Sequence, residues 1–490
     1  MRFSIALLCL FAFVEGACYR TNERSERRAD ASSPDARIDP LGRDAGNDTG
    51  PAVACLRPSD CPGQTCILDT RVTPVDLSDV ALTCGAPVGG GVVATLCAAN
   101  SDCRENLCAL GGGCVVPCID ERDCAEGHQC TRIPIVTSRS TLQFVQACTP
   151  WVSAPATTTV VQNETVAAMS RGTQEFTIGR FDAPSRLSIF VADRDDNDRF
   201  VLSLETRGGI PLFDVNQWGM TPQANPALAL FQSAMVLMPS GMRDVPRGDD
   251  YTVTMLNGSA LQYRRIAVDR TASGTAISLN FIYVGVSQVR AMPFVMRMID
   301  RYREVIGSIG LTVGSTRFTT MPGALATQHS IIESADEITD LVRLSAGTGR
   351  PTLNVFLVRS SPEFLGISAG IPGAINVHGT GNSGIVVTIE ELEGLEGMLP
   401  DGFAGIVLAH ELGHYQGFPH TSEVDGSSLD VFEDTPECTL AQDADGDGML
   451  DPFECEGFGA EYVMFAQSVF SSGLFSPRQQ ELLRLSTALN

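Results

Sequence analysis

The chain has 490 residues, more than one typical core can organise, which predicts several domains. A hydrophobic content of 43% against 19% charged residues excludes a chain that is disordered throughout. With 34 basic residues, all arginine, against 58 acidic ones, the net charge of −24 excludes a nucleic-acid binder, which needs clustered cations to neutralise phosphate.

At the start, Arg2 is followed by "FSIALLCLFAFV" (3–14), which is apolar but short for a bilayer span, the pattern of an export signal over residues 1–17. "VEGAC" then resembles a bacterial lipobox, although Glu15 stands where lipoboxes carry an aliphatic residue. The resemblance implies that Cys18 is lipidated and anchors an exported chain to the outer membrane or cell surface, with free secretion as the alternative. Cysteine parity agrees: of 16 cysteines, losing Cys9 with the signal and Cys18 to lipid leaves an even set. Residues 18–53 are rich in Arg, Asp, Pro and Gly and poor in large apolar side chains, which predicts a disordered tether.

Residues 54–150 hold cysteines in three similar blocks: Cys55, Cys61, Cys66 and Cys84; Cys97, Cys103, Cys108 and Cys114; Cys118, Cys124, Cys130 and Cys148. The phrases "RPSDCPGQTC", "ANSDCRENLC" and "DERDCAEGHQC" place an Asp before each second cysteine. Blocks this short lack a core of their own, and with an export signal and no CxxC pairs they read as disulfide-stapled repeats of open connectivity rather than zinc sites. Cys84, in "CGAP", is needed to close the first block, so it is read as structural rather than as a thiol switch on a metal.

From 151 to 272 the runs "TTTVV", "EFTIG", "RLSIFVA", "RFVLSLE", "SAMVLM" and "DYTVTML" alternate with turn residues, which predicts an antiparallel β-sandwich. The pattern is similar to the jelly-roll accessory domains of secreted bacterial peptidases. The acidic turn Asp193–Asp198 is read as solvated. From about 275 to 490 the texture is α+β: strands at "AISLNFIYVGV", "TLNVFLV" (352–358) and "GIVVTI" (384–389), a helix over 293–310, and an irregular glycine-rich loop, "GISAGIPGAINVHGTGNSG".

Three of the chain's six histidines lie within "AHELGHYQGFPH" (409–420). "DGFAGIVLAHELGHYQG" reads as a helix with Asp401 as N-cap and Gly417 as the left-handed residue after its end. His410 and His414, four apart, share one helix face, the arrangement that two nitrogen ligands of one zinc ion require. Gly417 lets the chain turn so that His420 returns as a third ligand. Glu411, beside the first, can take a proton from water whose pKa the metal lowers towards about 7.

This spacing resembles the metzincin zinc endopeptidases, whose active-site helix carries HExxHxxGxxH. Their methionine turn is matched by Met464 in "AEYVMFAQ". Within that clan the features His420-Thr421, "DTP" (434–436) with a cysteine nearby, and "FSPRQQELLR" are most similar to the pappalysin/cytophagalysin branch. Here, though, Met464 follows Tyr462-Val463 and precedes Phe465, where the branch usually has Asn-Phe/Tyr-Met and a following Tyr. The resemblance covers roughly 275–490 and implies a mixed sheet, Glu411 as proton acceptor, Met464 as a packing floor, a protein or peptide substrate, and 384–389 as the edge strand that pairs with it. Two other functions fit the same chain. One is a surface adhesion or binding lipoprotein whose metalloprotease-like domain no longer turns over, and the other is a hydrolase of cell-wall amides.

"DADGDGMLDPFE" (443–454) places Asp443, Asp445, Asp447, Asp451 and Glu454, with the Met449 carbonyl, at the ligand positions of an EF-hand loop, which predicts bound calcium. Pro436 and Pro452 argue against EF-hand helices around it. Cys438 and Cys455 bracket the loop and are expected to pair, giving calcium a structural role beneath the zinc. "SPRQQELLRLSTALN" starts with Ser476 as N-cap and Pro477 at the first helical position, a terminal helix.

Overall fold

The structure is a computed structural model that describes residues 54–68, 82–150 with short interruptions, strands alone between 162 and 268, and 274–489 apart from 322, 346–351 and 469–471. The export signal, Cys18, the tether, "TTTVV" and nearly all of Asp193–Asp198 lie outside the described residues. No described helix is long and apolar enough to cross a membrane.

The first region contains β1 (Thr65–Leu68), β2 (Leu82–Gly85), β3 (Val116–Pro117), β4 (His128–Val136) and β5 (Leu142–Pro150). All three cysteine blocks pair first with third and second with fourth: Cys55–Cys66 and Cys61–Cys84, Cys97–Cys108 and Cys103–Cys114, Cys118–Cys130 and Cys124–Cys148. The third and fourth cysteines of each block face each other across a strand pair or bridge: Cys66 and Cys84, Cys108 and Cys114, Cys130 and Cys148. The two bonds therefore pin one short loop across each hairpin. The Asp before each second cysteine tightens that loop: Asp60 accepts from the Leu56 and Arg57 N–H groups, Asp102 from Ala99 N–H and Asp123 from Ile119 N–H.

The middle region contains β6 (Gln162–Thr165), β7 (Gln174–Ile178), β8 (Arg186–Asp193), β9 (Val201–Thr206), β10 (Pro211–Phe213), β11 (Asn225–Ala227), β12 (Ser233–Met238), β13 (Tyr251–Leu256) and β14 (Leu261–Val268). They form two antiparallel sheets, β11-β12-β8-β14-β6 and β10-β9-β13-β7.

The last region is a mixed five-stranded sheet with helices. Its elements in chain order are β15 (Ala276–Val284), α1 (Gln288–Gly307), β16 (Thr312–Thr320), α2 (Gly323–Gln328), α3 (Ala335–Arg343), β17 (Leu353–Val358), β18 (Gly366–Ser368), β19 (Ile385–Thr388), α4 (Ile389–Leu395), α5 (Phe403–Tyr415) and α6 (Pro477–Arg484). The order across the sheet is β16-β15-β17-β19-β18, with β18 antiparallel to its neighbour and the rest parallel. Parallel strands covered on both faces read as unbroken apolar runs, and β17 and β19 are buried throughout. Side chains alternate between the faces: Leu279, Phe281, Tyr283, Val355, Leu357 and Val387 join the core under α1 and α5, while Ile282, Val284, Phe356, Val358 and Val386 join the core under α3.

Three expectations need correction. The edge strand is β18, inside the stretch read as an irregular loop, while 384–389 supplies β19, an interior strand. The helix expected from 293 starts at Gln288, capped by the Ser287 hydroxyl, and Pro293 falls in its second turn, where only one intrahelical bond is forgone. Asp401 does not cap α5: the N-cap is Gly402, whose φ of 80° puts the chain in the left-handed region, and no side chain caps the helix end.

Candidate metal centre

Helix α5 is buried along most of its length, so its polar residues face protein, not water. Its first turns pack on α1 and its last two turns present His410, Glu411 and His414, all buried. The helix ends in a Schellman motif. Gly417, at φ 98°, donates to the His414 carbonyl and Phe418 N–H donates to the Gly413 carbonyl. That reversal sends Pro419 and His420 back towards the helix.

The three Nε2 atoms converge: 3.0 Å separates His414 from both His410 and His420, and 3.2 Å separates His410 from His420. These are not hydrogen bonds among the rings, because each Nδ1 already faces an acceptor. His410 Nδ1–H donates to the Val463 carbonyl at 2.6 Å, His414 Nδ1–H to the Phe418 carbonyl at 2.7 Å, and His420 Nδ1–H to Glu423 Oε2 at 3.0 Å. With protons on Nδ1, three bare lone pairs point into one buried space, an arrangement that calls for a cation. Ligands about 2.05 Å from a tetrahedral zinc ion stand about 3.3 Å apart, so this donor set fits zinc closely.

Burial pushes the His410 imidazole down to about 3, helped by the nearby His420 and opposed by the bond to Val463, and drives His414 well below its ordinary range. Both are therefore neutral, the form that binds metal. Burial also pushes the Glu411 carboxyl up to about 8, against a hydrogen bond from the backbone of Ser368. That bond places the carboxylate against β18. A Cβ on Gly366 would stand 2.7 Å from Glu411 Cγ and 3.0 Å from Glu411 Oε1.

Beneath the histidines lies the turn at Val463–Met464. The Val463 carbonyl holds His410, the Met464 carbonyl accepts from Thr421 N–H at 2.9 Å, and the fully buried Met464 side chain packs under Gly413. Three of these partners carried no recognisable sequence signal: Glu423, the Val463 carbonyl and β18 with Ser368. Glu423 lies three residues after His420, a spacing that means nothing until the chain is seen to turn there.

The acidic loop brings three of the expected ligand residues together. Asp443, Asp445 and Glu454 bring carboxylate oxygens within 4.8 Å of one another. Asp447 and Asp451 stand outside that group and accept from the backbone of Met449, Phe453 and Glu454. Cys438 and Cys455 are bonded, and no α-helix occurs among the described residues between 416 and 476. Leu450, Ala460 and Phe465 pack around that disulfide, so the loop abuts the residue next to Met464. The cysteine groups of the first region are all in disulfides and offer no thiolate ligands.

No family model and no curated protein matches the chain. Among solved structures, 33% of the chain is similar to metalloproteinase-II from Bacteroides fragilis, at 12% identity and a TM-score of 0.19, covering 55% of that chain. In a separate alignment, 38% of the chain is similar to the salicylyl-acyltransferase SsfX3 of a tetracycline biosynthetic pathway, at 14% identity and a TM-score of 0.10, covering 46% of that chain. The chain spans about half of each, and at these TM-scores neither likeness bears on function.

Proposed function

We propose that the chain is a zinc-dependent endopeptidase. The observation that carries this is the convergence of the His410, His414 and His420 Nε2 atoms with every Nδ1 proton already engaged, beside a buried carboxylate that touches a sheet edge. Zinc held there would polarise a scissile carbonyl and lower the pKa of a water molecule towards about 7. A cation held beside Glu411 would favour the ionised form that burial disfavours. Glu411 is then the group that takes the proton and returns it to the leaving amine, and its position against Ser368 puts it within reach of a chain lying along β18. The exposed side of β18 is the surface on which an extended peptide would add as a further strand. Met464 packs beneath the ligands rather than binding metal.

The same reading assigns the chain to the metzincins, nearest the pappalysin/cytophagalysin branch, with the two antiparallel sheets as faces of a sandwich and the cysteine blocks as a stalk. It places the protein outside the cell, held by lipid on Cys18 or freely secreted. Asp443, Asp445 and Glu454 are the first ligands of a structural calcium ion, with Asp447, Met449 and Asp451 completing the set.

The test is a peptide-end analysis by mass spectrometry. The chain, supplied with zinc and calcium, is incubated with an unfolded protein mixture beside its Glu411→Ala counterpart. New ends are expected with the wild type alone. An uncut mixture in both, with one zinc bound by each, would sink the endopeptidase reading.

A further inference from the structure

The three imidazoles are not held alike. His410 and His414 stand on a buried helix and donate to main-chain carbonyls, whereas His420 stands on a loop and donates to a carboxylate. A loop residue lacks the rigid support that α5 gives the other two. Its orientation must come from a partner.

We propose that Glu423 is a positioning residue for the metal centre, fixing the ring of His420 so that its Nε2 completes the cage. This rests on the zinc reading above. Glu423 is placed for that task by its backbone. Residues 421–430 fold back on themselves: Ser422 bridges Leu429, Glu423 N–H donates to the Ser428 carbonyl, and Asp430 N–H donates to the Thr421 carbonyl. The fold-back is fastened from outside as well. Leu450 N–H donates to the Val424 carbonyl at 2.6 Å, and Cys438 N–H donates to the Ser422 hydroxyl at 3.0 Å. The carboxylate therefore reaches His420 from a segment anchored to the disulfide-closed acidic loop. A charge-assisted bond to Nδ1–H both fixes the tautomer and makes Nε2 a stronger donor.

The experiment measures zinc affinity of the full chain by chelator competition, and the visible spectrum of its cobalt(II) form, for wild type, Glu423→Ala, Glu423→Gln and His420→Ala. Thermal unfolding of each metal-free protein controls for folding. Glu423→Ala is expected to bind zinc about 10–100-fold more weakly with an altered cobalt spectrum, the usual consequence of losing an outer partner. Glu423→Gln keeps an oxygen acceptor and is expected to recover most of that loss. His420→Ala sets the scale for a missing ligand. Affinity in Glu423→Ala within twofold of wild type, or equal weakening by Ala and Gln, would overturn the proposal. If wild type itself takes up neither zinc nor cobalt, the zinc reading fails, which is a different result from these.

Discussion

Met464 packs so closely under Gly413 that a Cβ there would collide with its sulfur. Gly413 lies between His410 and His414 in sequence, so the missing side chain is what lets the turn at 463–464 approach α5. Gly413→Ala must displace either Met464 or α5. We expect a loss of about 1–3 kcal/mol in urea unfolding, typical of overpacking, together with weaker zinc retention on dialysis. Met464→Leu, of similar volume, is expected to cost less than about 1.5 kcal/mol and to keep zinc, because the side chain acts by packing. Zinc loss in Met464→Leu at unchanged stability would instead argue that the sulfur has a chemical role.

Gly366 bears in the same way on Glu411. A Cβ there would stand 2.8 Å from Val407 Cγ1 as well as against the Glu411 side chain. Gly366→Ala should push the carboxylate off the bond from Ser368 without touching the histidines. The expected result is a fall in turnover of at least tenfold with zinc content unchanged, read by peptide cleavage and metal analysis on the same preparation. Full activity in this variant would show that the carboxylate does not need its place against β18.

His410 and His414 were legible as neighbours because a helix fixes spacing: four residues apart means one turn apart, whatever surrounds them. Strands β15, β17 and β19 were legible as apolar runs for a similar reason. What the sequence hid was set by non-local contacts. β18 has three residues in a glycine-rich stretch, too few to show alternation, and becomes a strand only because β19 lies beside it. β16, "TVGSTRFTT", is a polar edge strand with no apolar signature. Asp401 looked like a cap because of its residue type, but the left-handed Gly402 takes that position. The cysteine spacing marked three repeats, while the pairing followed from hairpins whose register no spacing encodes. Glu423 had no signal at all, since its partner depends on how 421–430 folds back.

Stability against pH should report the buried Glu411 directly in the metal-free protein. An unfolded chain releases this proton near 4.5, whereas in the folded protein burial delays release to about 8. Between those values the folded state holds the extra proton, so stability falls as pH rises, by up to about 1.4 kcal/mol per pH unit. His410 acts in the opposite sense: its folded value of about 3 lies below the ordinary 6.5, so stability is lost as pH falls from about 6.5 towards 3. Glu411→Gln removes the first effect and leaves the second. Urea unfolding from pH 5 to pH 8 is expected to show the variant gaining on wild type by on the order of a few kcal/mol. A constant difference between the two would mean that the carboxyl ionises as freely in the folded protein as in the unfolded chain.

The disulfide at Cys438–Cys455 closes a loop with a sequence separation of 17 and packs with Leu450 and Phe465, next to Met464. Removing it should act twice. Opening the loop costs about 3 kcal/mol by the chain-entropy estimate, and loosening Phe465 frees the turn whose carbonyl holds His410. The paired Cys438→Ala, Cys455→Ala variant is therefore expected to unfold earlier and to release zinc faster to a chelator. If calcium holds the same loop, a calcium-selective chelator should reproduce part of both effects in the wild type and none in the variant, where the loop is already loose. Calorimetry with and without that chelator, alongside zinc release rates, distinguishes the contributions. Equal responses of wild type and variant would separate the acidic loop from the zinc site.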